Sequence, residues 1–147
     1  MLLGILPNSG ITAGHFREKG TTALEQEFLT KAKENLKIAQ MSSEHQCHNA
    51  CANRAYFASF QAAIAALVSK GAGRGKFDHK WVQAEFNRKL IKRQKIYPAK
   101  LKSWLMKMQL LRNKADYESD PVSKNDVRKQ LQRTKELVGL IEKEIGK

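Results

Sequence analysis

The stretch HQCHNACANRAYFASFQAAIAALVSKGAGRG, residues 45–75, constrains the fold more than any other part of the chain. Its alanines form a surface that other helices can approach closely, and Tyr56, Phe57 and Phe60 add bulk to it. A long helix is therefore predicted from near His45 to near Lys70, with Gly71, Gly73 and Gly75 as its stop. Glycines in series also invite a phosphate-loop reading. No preceding strand and no GxxxxGK(S/T) pattern accompanies them, so the reading taken is a flexible connector.

Helical periodicity recurs on both sides of this stretch. Leu24, Phe28, Ala32, Leu36 and Ala39 repeat every three or four residues, with Lys31, Lys33, Glu34 and Lys37 on other faces. Thr21 or Thr22 is the expected cap, with Glu25 in the first turn. Residues 1–20, with Gly4, Pro7, Gly10, Gly14 and Gly20, are read as an irregular arm. Trp81, Phe86 and Leu90 predict a shorter third helix, and a fourth starts near Pro98 and runs through Leu101, Leu105, Met108 and Leu111 toward Tyr117. After the break ESDPVSKND, Ser123 caps a fifth helix carrying Val127, Leu131, Leu137, Val138, Ile141 and Ile145. Short connections between amphipathic helices imply an all-α domain over residues 21–147. The expected architecture is an up-and-down four-helix bundle with an additional short or C-terminal helix.

Charge narrows the partners. Twenty-seven Lys and Arg against 14 Asp and Glu give a net charge of +13, which raises the local concentration of polyanions without supplying specificity. Much of the excess lies between Lys70 and Lys102, where Lys89, Lys92, Arg93 and Lys95 are the best electrostatic candidates for nucleic-acid phosphates. Trp81 and Trp104 match the apolar period and are assigned to the core. The opening MLLGILPNSG lacks a basic n-region and is interrupted by Pro7, Asn8 and Gly10, so a cytoplasmic protein without a membrane segment is expected. Cys47 and Cys51 share a helix face, but His45 or His48 would still need ligands from elsewhere. They are read as small core residues, with no metal site and no cofactor.

The segment MQLLRNKADYES, residues 108–119, ends a core-facing run in Arg112, Asn113, Asp116 and Tyr117. Arg112 and Asp116 have the spacing of a helical ion pair, which when exposed contributes only about 0.2–1 kcal/mol. Tyr117 can bury its ring against the same turn. A functional reading gains weight if this cluster faces Asn53 and Arg54 across a cleft, because neighbouring arginines need an anion or carboxylates to offset their repulsion.

Taken in order, NRAYFASFQAAIAAL, His79 ahead of an apolar helix, and LRNKADY resemble the HEPN superfamily over residues 22–145, particularly its small stand-alone members. The resemblance implies a helical bundle that commonly forms a homodimer and is often encoded beside a small nucleotidyltransferase. It also implies a role in toxin–antitoxin or defence systems, where some members are metal-independent ribonucleases. Their active word resembles R-x4-6-H with Asn or Asp after the Arg, and Arg112 and Asn113 match its start. The histidine does not follow: its first permitted position holds Tyr117, and imidazole moves protons near neutral pH whereas a phenol is a poor base there.

Two functions follow. The first is a noncatalytic or weakly catalytic component of a two-gene module, binding a nucleotidyltransferase partner and RNA or nucleotide through Asn53, Arg54, Arg112, Asp116 and the lysine-rich segment. The second is a ribonuclease in which Arg112 stabilises phosphate charge, Asn113 orients the scissile region, and Tyr117 or His79 assists proton transfer. A purely structural dimerisation module is the remaining alternative. His79, at the start of its helix, otherwise caps or packs that turn.

Overall fold

The computed structural model describes residues 13–72 and 76–147, and every regular element among them is helical. Five α-helices follow in order: α1 (Ala13–Glu44), α2 (His48–Ser69), α3 (His79–Glu85), α4 (Trp104–Tyr117) and α5 (Lys124–Ile145). α3 runs directly into a π-helical stretch, Phe86–Arg93, and a 3-10 turn, Ala99–Ser103, leads into α4. No helix among the described residues is long and apolar enough to cross a membrane.

α2 is the central element, packed on α1, α3, α4 and α5. From Ala62 to Val68 every residue is buried, the pattern of a helix enclosed on all sides. Small alanine side chains let the neighbouring helices come near, while Tyr56, Phe60, Ile64 and Leu67 fill the space between them. Truncating the fully buried Leu67 to Ala is the single change that most directly breaks this packing, at about 2–5 kcal/mol.

α5 locks onto α2 through a buried polar seam as well as apolar contact. Ser59 Oγ donates to Thr134 Oγ1 at 3.1 Å, and Gln130 Nε2 donates to the Ala52 carbonyl at 2.9 Å. Each satisfied bond contributes only about 0.5–1.5 kcal/mol, but a shifted register would leave buried polar groups unpaired.

The helix ends follow local chemistry. Ser123 Oγ accepts from the Asp126 backbone N–H at 3.0 Å, as the sequence predicts for the start of α5. α2 ends at Ser69, and Gly71 takes φ +78° while Ala72 N–H donates back to the Leu67 carbonyl at 2.9 Å. α1 departs from expectation: it starts at Ala13, ahead of Thr21 and Thr22. Of the expected irregular arm, residues 1–12 lie outside the described residues and 13–20 are the first turns of α1. The helix formers Ala13, Arg17, Glu18 and Lys19 counter the cost of Gly14 and Gly20, about 1 kcal/mol each.

Candidate anion-binding site

Between Cys51 and Val68 only Asn53, Arg54, Phe57 and Gln61 escape full burial. Their spacing aligns them as one stripe along α2, the stripe that meets α1 on one side and α4 on the other. Three helices contribute polar groups to it. Asn35 of α1 donates from Nδ2 to Gln61 Oε1 at 2.7 Å and accepts from Arg54 Nη1 at 3.0 Å. Arg54 Nε donates to Asn53 Oδ1 at 2.8 Å, and its Nη2 makes a second short contact to the same oxygen. Asn53 then donates from Nδ2 to Asp116 Oδ2 at 2.8 Å, and Arg112 Nε lies 2.9 Å from that same carboxylate oxygen. The line Gln61–Asn35–Arg54–Asn53–Asp116–Arg112 thus crosses from α1 to α4.

Phe57 is the floor of this arrangement. The Arg54 guanidinium lies 5.3 Å from its ring centroid and the Arg112 guanidinium 5.2 Å, so one aromatic ring carries two cations from two helices. Asp116 is the only carboxylate paired with either arginine among the described residues. That pairing is close but poorly aligned: Arg112 Nε is buried, yet no acceptor lies along its N–H. A guanidinium has five N–H donors, and Arg112 makes one further bond, from Nη1 to Asn113 Oδ1 at a long 3.3 Å. The site holds one excess positive charge and unused donor capacity.

A second group sits beside it. His79, first residue of α3, bonds through Nδ1 to the Tyr56 hydroxyl at 2.5 Å and lies against Phe60, ring centroids 4.5 Å apart. Burial lowers the His79 pKa, and the positive charge of Arg112 lowers it further. Burial also pushes the Tyr56 hydroxyl up to about 12, against smaller opposing effects of Gln83 and Arg112. Tyr56 therefore keeps its proton, and its hydroxyl and His79 Nδ1 share one hydrogen bond. Capping of α3 falls to Asp78, whose side chain accepts from the Trp81 backbone N–H at 2.8 Å.

Tyr117 is 73% exposed, with its ring 5.4 Å from the Arg112 guanidinium. The four residues Arg112, Asn113, Asp116 and Tyr117 are therefore together at the end of α4, and Asn53 and Arg54 do face them. The lysine-rich segment is elsewhere. Lys89 Nζ donates to the Lys70 carbonyl at the C-terminal end of α2, and at 1.5 Å per residue Lys70 lies roughly 24 Å along the helix from Arg54. Lys92, Arg93 and Lys95 are exposed on and just past the π-helical stretch at that far end.

Asn35, Gln61 and the Phe57 platform are not among the site residues that the sequence suggests. Asn35 carries a signal, being an amide between the core positions Ala32 and Leu36, whereas Phe57 reads as one more core aromatic. Cys51 is buried as expected, but Cys47 is exposed at the start of α2. No group of three or more potential metal ligands occurs among the described residues.

A family model for the HEPN domain matches residues 25–145. The chain belongs to the HEPN family. No curated protein matches it. The family includes ribonucleases and toxin–antitoxin components. The matched span runs from within the first half of α1 to the end of α5, so this HEPN domain includes every residue of the three-helix site.

Proposed function

We propose that this HEPN protein recognises a phosphate group of RNA or a nucleotide at the Arg54–Arg112 site without cleaving it. The observation that carries this reading is the convergence of two guanidiniums on Phe57, with Asp116, paired to Arg112, the one carboxylate bridged to either among the described residues. Two cations gathered on one aromatic ring are more stable with an anion present, and bidentate guanidinium donors suit phosphoryl oxygens. Tyr117, at the first position allowed to the motif histidine, supplies no imidazole, which favours binding over catalysis.

The same reading takes the protein as a cytoplasmic homodimer with an up-and-down four-helix core, acting in a two-gene toxin–antitoxin or defence module with a small nucleotidyltransferase. Family membership supports that context. Co-purification with a nucleotidyltransferase encoded beside it is the expected result, and a clean failure of the two proteins to associate would remove the partner from the account.

One observation favours the ribonuclease alternative. His79, bonded to Tyr56, lies within the field of Arg112 and so brings an imidazole beside the arginine that would hold a phosphate. A time course with a mixed RNA pool, EDTA present, separates the readings. Wild-type protein is expected to retain RNA intact, and Arg112→Ala to lose retention. Arg112-dependent cleavage to cyclic-phosphate ends would instead establish the enzyme.

A further inference from the structure

We infer that the Asp116 carboxylate is an internal plug in the two-arginine site, a tethered anion that an incoming phosphate group must displace. The inference rests on the phosphate-binding reading of that site and adds how the site is regulated. Asp116 Oδ2 stands 2.8 Å from Asn53 Nδ2 and 2.9 Å from Arg112 Nε, so one oxygen occupies the point where donors from α2 and α4 converge. A phosphoryl oxygen bound between the two helices would take that same point.

The plug is held on the arginine side by charge rather than by an aligned hydrogen bond. Arg112 Nε has no aligned acceptor although it is buried, and the Asp116 side chain remains 24% exposed to water. Displacement would cost little there, because water can solvate a carboxylate at the end of α4. Asn53 makes the exchange sensitive to both arginines. Its Oδ1 is held by Arg54 and its Nδ2 is thereby aimed at whatever anion sits beside Arg112. Arg54 accordingly acts as a positioning residue for the Asn53 amide as well as a cation in its own right.

Specificity follows from competition. A monoanionic ligand that only replaces Asp116 gains little, whereas a phosphate that also reaches the unused donors of Arg112 gains more. The plug thus raises the threshold for weak anions and keeps the two-arginine site closed to carboxylates. Removing its charge while keeping its shape should open the site to all of them.

The test measures affinity of the full-length protein for a short fluorescein-labelled single-stranded RNA. Wild type is compared with Asp116→Asn, Asp116→Ser, Arg112→Ala, the Asp116→Asn/Arg112→Ala double variant and Asp120→Asn, the last removing an exposed carboxylate at the same end of the molecule. Asp116→Asn is expected to tighten binding at least about fivefold, the effect of one unit charge at 4 Å in water. Asp120→Asn is expected to change it far less, and adding Arg112→Ala should abolish the gain. Asp116→Ser, which removes the charge with a smaller group, guards against a folding defect and should reproduce the gain with an unchanged helical CD spectrum. Unchanged or weaker binding by both Asp116 variants, with Arg112 still required, would overturn the plug and leave the phosphate site standing. Equal gains from Asp116→Asn and Asp120→Asn would overturn it as a general charge effect. Binding indifferent to Arg112→Ala would overturn both the plug and the site it guards.

Discussion

Gln46 takes φ +60° between α1 and α2, a left-handed conformation normally given to glycine. The hydrogen bonds explain why: Gln46 N–H donates to the Ser43 carbonyl and Cys47 N–H to the Ser42 carbonyl at 2.7 Å, the pairing that closes a helix with a left-handed residue. Gln46→Gly is therefore expected to stabilise the protein by about 0.5–1 kcal/mol, read from the urea midpoint. A loss of stability would show that the Gln46 side chain holds the turn. Gly71, in the equivalent place after α2 at φ +78°, should behave oppositely, with Gly71→Ala costing about 1 kcal/mol. His79 makes a prediction about pH. Its folded pKa is lowered, so below its ordinary value near 6.5 the unfolded chain takes up a proton that the folded protein resists. Stability from this group is full above that value and falls as pH drops through it. His79→Gln should flatten the fall below about pH 6.5. An identical slope in the variant would contradict the burial of a neutral imidazole.

At the scale of elements, α5 carries Gly139 on its exposed face, where an added Cβ would meet nothing within 4 Å. Gly139→Ala should stabilise the protein by about 0.5–1 kcal/mol in the same denaturation experiment, and destabilisation would mean that the added methyl group is not free of its surroundings. The helices are legible in the sequence because their signals are local. The glycine stop after α2 and the Ser123 cap of α5 are each decided by a few neighbouring residues. The start of α1 is harder to read because glycines at 14 and 20 look like breaks, although flanking helix formers carry the helix through them. The π-helical stretch leaves no sequence signal. Phe86, Leu90 and Ile91 bury their side chains in it, and its extra residue per turn shows only in bonds such as Gln94 N–H to the Lys89 carbonyl. Half of the candidate site is readable from local spacing. Asp116 and Arg112 follow from their separation along one helix, whereas the contribution of Asn35 and the sharing of Phe57 depend on how α1, α2 and α4 pack.

On the whole molecule, two cationic groups lie toward opposite ends of α2. The +13 charge and the exposed Lys92, Arg93 and Lys95 attract polyanions at long range, while Arg54 and Arg112 lie at the other end of α2 on a built platform. Replacing the three exposed residues with Ala should reduce the salt dependence of RNA binding, by about 0.7 in log–log slope for each phosphate no longer neutralised. It should leave the dependence on Arg112 intact. On the phosphate-binding reading, Arg54 and Arg112 act on one phosphate. A double-mutant cycle on RNA affinity, comparing wild type, Arg54→Ala, Arg112→Ala and the double variant at fixed salt, tests it most directly. Each single change is predicted to weaken binding about tenfold or more, and the double variant to be far less impaired than the product of the two. Independent, multiplicative losses, or a double variant that binds like wild type, would contradict a shared site.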